Sequence, residues 1–198
     1  MRCAIVLNSK GNIAQINEEF IIAADAGYEE VLKQGKKPNI IIGDFDSSSM
    51  PKDLDVIKLN IEKDDTDGQA CIEYAYERGF KEVVIYGVSG GRLDHELCNL
   101  SLLVKAHKLN MSAIAKEPNL TILYKEAGNV SFDIKKGATF SIIAFGGDLE
   151  ITNGRNTKYP INNLIISNEE LGRSVSNIAL EDKVSFDVIK GGCLVFIY

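Results

Sequence analysis

Short apolar runs alternate with helical patterns along the first two thirds of the chain. Several of the runs, such as "NIIIGD" and "EVVIYG", are β-branched without polar alternation, which is typical of strands buried on both faces of a parallel sheet. Strands are predicted at 3–8, 20–25, 39–44, 55–60, 82–87, 111–116 and 120–125, and helices at 26–38, 66–80 and 94–110. This alternation predicts an α/β domain with a doubly wound, mostly parallel sheet over residues 1–126.

A different pattern begins near residue 127. Segments such as "VSFDIKKGATFSIIAF" and "KVSFDVIKGGCLVFIY" alternate apolar and polar residues between turns of glycine, asparagine and aspartate. They lack the period of a helix. The pattern predicts a small all-β sandwich domain over residues 127–198.

Composition and charge exclude several classes of function. The 198-residue chain has 45% hydrophobic and 25% charged residues, as an ordinary globular protein does. Its net charge of −6 argues against broad binding to nucleic acid or to an anionic membrane surface. No apolar run reaches the ~20 residues that span a bilayer, and the first is too short for a secretory signal. The four cysteines are scattered without a C-x-x-C pair, which is typical of reduced thiols. The sequence therefore predicts a cytoplasmic protein.

Acidic residues lie beside two predicted elements at the carboxyl edge of the sheet. Asp44 and Asp46 follow the apolar part of the third predicted strand, and Asp64, Asp65 and Asp67 lie at the start of the second predicted helix. Ligands bind beyond the carboxyl ends of such strands, and Mg²⁺ takes one or two carboxylates together with water and phosphate. These positions predict a magnesium site. The alternative is that Asp46 and Ser47 cap a short turn and that Asp64 or Asp65 caps the helix.

A glycine-rich stretch, "GVSGGRLDH" at 87–95, joins a predicted strand to a predicted helix. Backbone N–H groups at such a junction hold phosphate together with the helix dipole. Gly90 and Gly91 would let a phosphate or ribose approach the backbone, and Arg92 offers a planar fork for phosphate oxygens. The spacing matches neither the Walker A loop nor the dinucleotide fingerprint. The alternative is an ordinary turn with Asp94 in the first turn of the helix.

Three segments, taken in order, resemble the motifs of the thiamine pyrophosphokinase family. They are "AADAGYEEVLKQGKKPNIIIGDFDS", "KDDTDGQACIEYA" and "GVSGGRLDHELCNLSLL", and the later "KYPI" and "VSN" resemble parts of that family's β-sandwich. The resemblance implies transfer of the terminal diphosphate of ATP to the hydroxyl of thiamine, with Mg²⁺, giving thiamine diphosphate and AMP. It also implies a cytosolic homodimer whose thiamine pocket lies between the sandwich of one subunit and the α/β domain of the other.

The resemblance carries the family's site residues onto numbered positions of this chain. The expected metal ligands are Asp44, Asp46, Asp64 and Asp67. Three of these carboxylates, Asp44, Asp46 and Asp67, are also the expected catalytic residues, with Asp67 as a possible base. The expected nucleotide-binding residues are Asp25, Ser47, Thr66, Gly90, Gly91, Arg92, Asp94 and His95. The expected thiamine-binding residues are Tyr159, Ser176 and Asn177.

Two other functions use the same residues differently. An apolar strand that runs into D-x-D is similar to haloacid-dehalogenase-type phosphatases, in which the first aspartate is a nucleophile, but in that family the motif usually ends the first strand and here it ends the third. The second alternative is a sensor that binds nucleotide or thiamine without turnover. An aspartyl-phosphate at Asp44 would identify the phosphatase, and binding of ATP and thiamine without AMP formation would identify the sensor.

Overall fold

The chain forms two compact units in a computed structural model, which describes residues 1–9, 11–45, 54–59, 66–167 and 169–198. The first unit is Met1–Asn119 and the second is Leu120–Tyr198. The architecture is mixed α/β, with a large sheet and a separate antiparallel sheet, so the prediction of a mixed α/β fold is confirmed. Among the helices of the described residues, none is long and apolar enough to cross a membrane.

A parallel sheet forms the centre of the first unit. Its strands are β1 (Arg2–Val6), β2 (Ile21–Ala24), β3 (Ile40–Gly43), β4 (Val56–Lys58), β5 (Glu82–Tyr86) and β6 (Ser112–Glu117). Their order is β6-β5-β1-β2-β3-β4, and every neighbouring pair is parallel. The β-branched runs become the most buried strands, since all four residues of both β2 and β3 are buried.

Three helices accompany these strands at the predicted places. They are α1 (Gly27–Lys33), α2 (Asp67–Glu77) and α3 (Leu93–Lys108). Each ends two residues before a residue in the left-handed region, namely Gly35, Gly79 and Asn110, with φ of 68°, 80° and 56°. The charges of α3 suit the helix dipole, because acidic residues lie in its first turn and basic residues in its last.

The order of the parallel sheet changes direction between β1 and β5. From β1 the chain proceeds through β2 and β3 to β4 on one side, and then continues with β5 and β6 on the other side. At such a switch point the loops after the two central strands diverge and leave a crevice beyond their carboxyl ends. Residues 7–9 and 87–92 lie beside that crevice. We refer to residues 87–92 as the glycine loop.

The second unit consists of antiparallel strands and a short 3₁₀ helix at Leu171–Ser174. The strands are β7 (Leu120–Lys125), β8 (Gly128–Asp133), β9 (Thr139–Ala144), β10 (Leu149–Arg155), β11 (Leu164–Ile166), β12 (Asn177–Ile178), β13 (Lys183–Lys190) and β14 (Cys193–Ile197). Within this unit the neighbours are β12-β9-β14-β7 in one sheet and β11-β10-β13-β8 in the other. Side chains of both sets, including Phe140 and Phe186, form one hydrophobic cluster.

The division between the units lies after residue 119, whereas the predicted domain boundary lies after residue 126. Strand β7 accounts for the difference, because it pairs with β14 from Thr121↔Ile197 to Lys125↔Cys193. The hydrophobic pattern of β7 does not distinguish a strand of the first unit from a strand of the second. Its partner lies about seventy residues further along the chain, beyond the reach of a local pattern.

Candidate active site

A pocket of about 600 Å³ opens beyond the carboxyl ends of the parallel strands in the first unit. Its walls come from the residues after β1, β2, β3 and β5 and from the first turns of α2 and α3. This is the crevice expected at a switch point of the strand order. The structure thus brings together stretches that the sequence separates by up to 92 residues, from Leu7 to Asn99.

Acidic side chains from three elements line this pocket: Asp25 after β2, Asp44 after β3 and Asp67 at the start of α2. Asp25 lies at the turn between β2 and α1, with φ of 44°. Its N–H donates to the carbonyl oxygen of Ile42 at 2.9 Å, so the end of β2 lies directly against the end of β3. Each of these three residues takes part in further interactions in the structure.

The start of α2 is fixed by Thr66 and Gln69. The Thr66 hydroxyl accepts the Gln69 N–H at 3.3 Å, and the Gln69 side-chain oxygen accepts the Thr66 N–H at 2.9 Å. This capping box satisfies two N–H groups at the helix start. The alternative in which Asp64 or Asp65 caps this helix is therefore wrong, because Thr66 is the N-cap. Asp67 follows as the first helical residue and lines the pocket together with Thr66.

Asp46, Ser47 and Asp64 lie outside the described residues. Within the parts of the chain that the structure describes, no group of three or more His, Cys, Asp or Glu side chains forms a metal-binding cluster. Mg²⁺ needs only one or two protein carboxylates, because water and phosphate complete its octahedron. Asp44 and Asp67 supply hard oxygen donors at one pocket, so the described part of the expected donor set fits this ion.

The glycine loop has two glycines in the left-handed region, Gly87 at φ 75° and Gly90 at φ 91°. A Cβ atom on Gly90 would lie 2.9 Å from the Ser9 Oγ, so the loop runs close to the segment after β1. A Cβ atom on Gly91 would meet nothing within 4 Å. Both Gly90 and Gly91 line the pocket, as the sequence predicted for a ligand-facing loop.

Side chains from three different segments, the residues after β1, helix α3 and the end of β6, hold the glycine loop. The Ser9 hydroxyl donates to the carbonyl oxygen of Ser89 at 2.7 Å, and the Asn99 amide donates to that of Val88 at 3.2 Å. The Glu117 carboxylate accepts the Ser89 N–H at 3.1 Å. These residues were not predicted from the sequence, since no motif links them. A weak signal was available for Glu117, an acidic residue directly after the predicted strand 111–116.

The carboxylates of Glu96 and Glu117 both accept backbone N–H groups of the glycine loop, and that of Glu117 is buried. Glu96, in the first turn of α3, accepts the Gly90 N–H at 2.8 Å and the Gly91 N–H at 3.1 Å through one oxygen. Glu117 is only 9% exposed. Burial raises the pKa of the Glu117 carboxyl above its ordinary value of 4.5, and the N–H donors of Ser89 and Val88 oppose this shift.

Arg92 forms a two-point ion pair with Asp94. The Arg92 Nη2 lies 2.5 Å and its Nε lies 3.1 Å from the two Asp94 carboxylate oxygens. The guanidinium holds the pKa of the Asp94 carboxyl below its ordinary value of 3.8. Arg92 and His95 both line the pocket. Asp94 therefore orients the Arg92 guanidinium in the structure and accepts hydrogen bonds from two of its nitrogens.

The three residues expected to bind thiamine lie together in the second unit. Asn177 is buried, and its side chain makes a two-point bond with the backbone of Tyr159: the Tyr159 N–H donates to Oδ1 at 3.0 Å, and Nδ2 donates to the Tyr159 carbonyl at 2.8 Å. Ser176 has φ of 60°, and its N–H donates to the Ser141 Oγ at 3.0 Å. The Tyr159 side chain is exposed, with the Lys158 ammonium 5.6 Å from its ring centre.

Comparison with known proteins identifies the family. The model of "Thiamin pyrophosphokinase, catalytic domain" matches residues 14–115, a range that contains most of the residues lining the pocket. The chain is 30% identical over 182 residues to the thiamine pyrophosphokinase of Bacillus subtilis, covering 86% of this chain and 83% of the relative. It is 26% identical over 173 residues to thiamin pyrophosphokinase 1 of Caenorhabditis elegans, covering 80% and 70%.

Solved structures show the same architecture. The crystal structure of the Bacillus subtilis thiamine pyrophosphokinase matches with a TM-score of 0.86 at 26% identity, covering all of this chain and 98% of the other. The family match, the curated relatives and the fold agree with the motifs that line the pocket. The chain therefore belongs to the thiamine pyrophosphokinase family.

Proposed function

We propose that this chain transfers the diphosphate of ATP to the hydroxyl of thiamine in a Mg²⁺-dependent reaction that releases thiamine diphosphate and AMP. The observation that carries the proposal is one pocket at the switch point of the parallel sheet. It is lined by Asp25, Asp44, Asp67 and the glycine loop, which come from three separate motifs of the family. Membership of the thiamine pyrophosphokinase family supports the reaction and both substrates.

The charge of the described lining residues supports a requirement for a cation. Four carboxylates line the pocket, those of Asp25, Asp44, Asp67 and Glu96, against one guanidinium, that of Arg92. A triphosphate would be repelled from such a surface unless positive charge accompanied it. Asp44 and Asp67, with Asp46 and Asp64 as the further candidates, would hold Mg²⁺. The chemistry that the ion supplies when bound is neutralisation of the phosphate charge.

In the reaction, the hydroxyl oxygen of thiamine attacks the β-phosphorus of ATP. A new oxygen–phosphorus bond forms while the bond between the β-phosphorus and the oxygen bridging to the α-phosphorus breaks, and AMP leaves with that oxygen. We assign Asp67 as the base that takes the hydroxyl proton. Such transfers depend on positioning and on electrostatic stabilisation of the phosphate oxygens. Arg92 and His95 suit the nucleotide side of the pocket, together with Asp25, Ser47, Thr66, Gly90, Gly91 and Asp94.

The second unit is proposed to bind thiamine as a β-sandwich domain, and the first to be the doubly wound catalytic domain. Tyr159, exposed and held by Asn177, provides an aromatic face for the thiamine ring, and Ser176 adjoins it.

A homodimer fits the exposed leucines Leu93 and Leu97 of α3, which are 71% and 56% exposed and one helical turn apart. The reaction and the reduced cysteines suit the cytoplasm.

The direct test is an assay of the purified chain with ATP, Mg²⁺ and thiamine that follows AMP and thiamine diphosphate together. We expect both products in equal amounts and the loss of both when EDTA removes the metal. ADP in place of AMP would contradict diphosphate transfer. Binding of ATP and thiamine without product would indicate the sensor, and a covalent aspartyl-phosphate on Asp44 would indicate the phosphatase.

A further inference from the structure

Four backbone N–H groups of the glycine loop already have carboxylate partners within the chain. Ser89 donates to Glu117 at 3.1 Å, and Gly90 and Gly91 donate to Glu96 at 2.8 and 3.1 Å. The N–H of Val88 is a further partner of Glu117. Four successive N–H groups therefore face two carboxylates. Runs of N–H groups in this kind of turn form concave anion sites, and here the protein's own side chains occupy the site.

This arrangement limits how a nucleotide can use the loop. A phosphate oxygen that took the N–H groups of Gly90 and Gly91 would have to displace the Glu96 carboxylate from both bonds. The phosphate would then lie near the carboxylates of both Glu96 and Glu117. These two carboxylates are close enough that like-charge repulsion from Glu96 helps to raise the pKa of Glu117. Charge-assisted hydrogen bonds to N–H groups are among the stronger ones in proteins. The loop is therefore better suited to a nucleotide that leaves these bonds in place.

The other side of the loop is open to a ligand. A Cβ atom on Gly91 would meet nothing within 4 Å, so the Cα face of Gly91 is free for close approach. The carbonyl oxygens of Val88 and Ser89 are held by Asn99 and Ser9. The loop keeps its shape through contacts on the protein side and presents the Gly91 Cα, together with the Arg92 and His95 side chains, along the pocket.

We infer that Glu96 is a positioning residue for the nucleotide: its carboxylate holds the N–H groups of Gly90 and Gly91, so that the loop meets ATP through the Gly91 Cα face, Arg92 and His95. The N–H groups of Gly90 and Gly91 are then internal donors and do not bind phosphate. The inference rests on the proposed function, because it concerns how the same pocket holds ATP. It differs from the expectation that loop N–H groups cradle a phosphate.

The test compares Glu96→Ala and Glu96→Gln with the wild-type chain. Glutamine keeps a side-chain oxygen that can accept both N–H groups, whereas alanine removes the acceptor. Glu77→Ala is the matched control, since Glu77 is exposed at the far end of α2 from the pocket. Two measurements are made on each protein: amide hydrogen exchange of Gly90 and Gly91 by NMR without ligand, and calorimetric Kd values for ATP with Mg²⁺ and for thiamine.

For Glu96→Ala we expect exchange of both amides to accelerate and the Kd for ATP to rise about tenfold, while the Kd for thiamine changes less than twofold. Glu96→Gln should restore most of the ATP affinity, and Glu77→Ala should match the wild type. Tighter ATP binding by Glu96→Ala would overturn the inference, because it would mean that phosphate competes with Glu96. Unchanged exchange and ATP affinity, or equal losses for both substrates, would overturn it as well.

These measurements separate the inference from the proposed function, because neither requires turnover. A wild-type chain that binds ATP but forms no thiamine diphosphate would contradict the proposed reaction. The inference would still stand if Glu96→Ala changed the exchange rates and the ATP affinity as expected. Normal turnover by the wild-type chain, together with unchanged ATP affinity in Glu96→Ala, would support the proposed function and contradict the inference.

Discussion

A Cβ atom on Gly43 would lie 3.0 Å from the Cα atom and 3.2 Å from the Cβ atom of Asp25. The ends of β2 and β3 approach each other here, because the Asp25 N–H donates to the Ile42 carbonyl. Because Gly43 has no side chain, the backbone of Asp25 has room to lie directly against the end of β3. The next residue, Asp44, then lines the same pocket as Asp25. Gly43, the last residue of β3, thus allows the carboxylates of Asp25 and Asp44 to reach one pocket.

Gly43→Ala should lower the free energy of unfolding by about 1–3 kcal/mol, because the end of β2 or β3 must shift to admit the methyl group. Urea denaturation measures the change. Gly91→Ala is the control, since a Cβ at that position has open space around it and its stability should remain within about 0.5 kcal/mol of the wild type. Equal stability of the two variants would show that the contact between Gly43 and Asp25 is not close.

Asp44→Asn and Asp67→Asn should each lower kcat about a hundredfold or more, because each removes a negative charge proposed to act on the transition state through the metal or the proton. Asparagine keeps the shape of the side chain, so the fold should persist. Steady-state assays at saturating ATP and thiamine measure the effect, with Glu77→Gln as the control. Near-normal kcat in both variants would remove these residues from the proposed metal site.

Asn177→Ala should raise the thiamine KM at least tenfold more than the ATP KM. The buried amide of Asn177 holds both the N–H and the carbonyl of Tyr159 and accepts the Ile178 N–H at 2.8 Å, so its loss frees the Tyr159 backbone. The variant should also lose about 2 kcal/mol of stability, because buried polar groups lose their partners. Asn129→Ala is the control, since Asn129 is exposed and bonds to Asp187. Equal changes in both KM values would argue against thiamine binding at Tyr159.

The buried Glu117 should give the chain a specific dependence of stability on pH. Its pKa is raised in the folded state, so the folded protein binds this proton more tightly than the unfolded chain does. The contribution of Glu117 to the free energy of unfolding should therefore fall as pH rises from about the ordinary value of 4.5 through the folded pKa, and then level off.

Glu117→Gln tests this dependence, because glutamine cannot titrate. Unfolding free energies of the wild type and the variant are measured by denaturant between pH 4 and pH 8, and their difference is plotted against pH. The wild type should lose more stability than the variant over the lower part of that range. A difference that does not change with pH, or that changes in the opposite direction, would contradict the burial of a titrating carboxyl at this position.

Local patterns were enough to predict the elements of the first unit. The β-branched runs and the amphipathic segments became its parallel strands and helices, because each pattern reflects burial within a few neighbouring residues. Asp44 and Asp67 were predicted to meet at the sheet edge, and they line one pocket together with Asp25 and the glycine loop. Their roles toward metal and nucleotide remain predictions, as do those of Asp46, Ser47 and Asp64, which lie outside the described residues.

The contacts that shape the site could not be predicted, because their partners are distant in sequence. Ser9 and Ser89 are eighty residues apart, and Ser89 and Glu117 are twenty-eight residues apart. Glu96 is closer to the glycines it holds, but its bonds depend on the left-handed turn at Gly90. The pairing of β7 with β14 was also not predicted, because the two strands lie about seventy residues apart in the chain.

The position of β14 in its sheet has a consequence for biosynthesis. β14 lies between β7 and β9 and pairs with both, yet it follows them by about fifty residues or more in the chain. A ribosome delivers β7 and β9 before their shared neighbour, so until β14 emerges the edges of both strands that will face it have no strand partner. Unpaired strands of this kind are where nascent chains associate wrongly. A pause in translation within this stretch would therefore lengthen the interval in which these strand edges can pair with another chain.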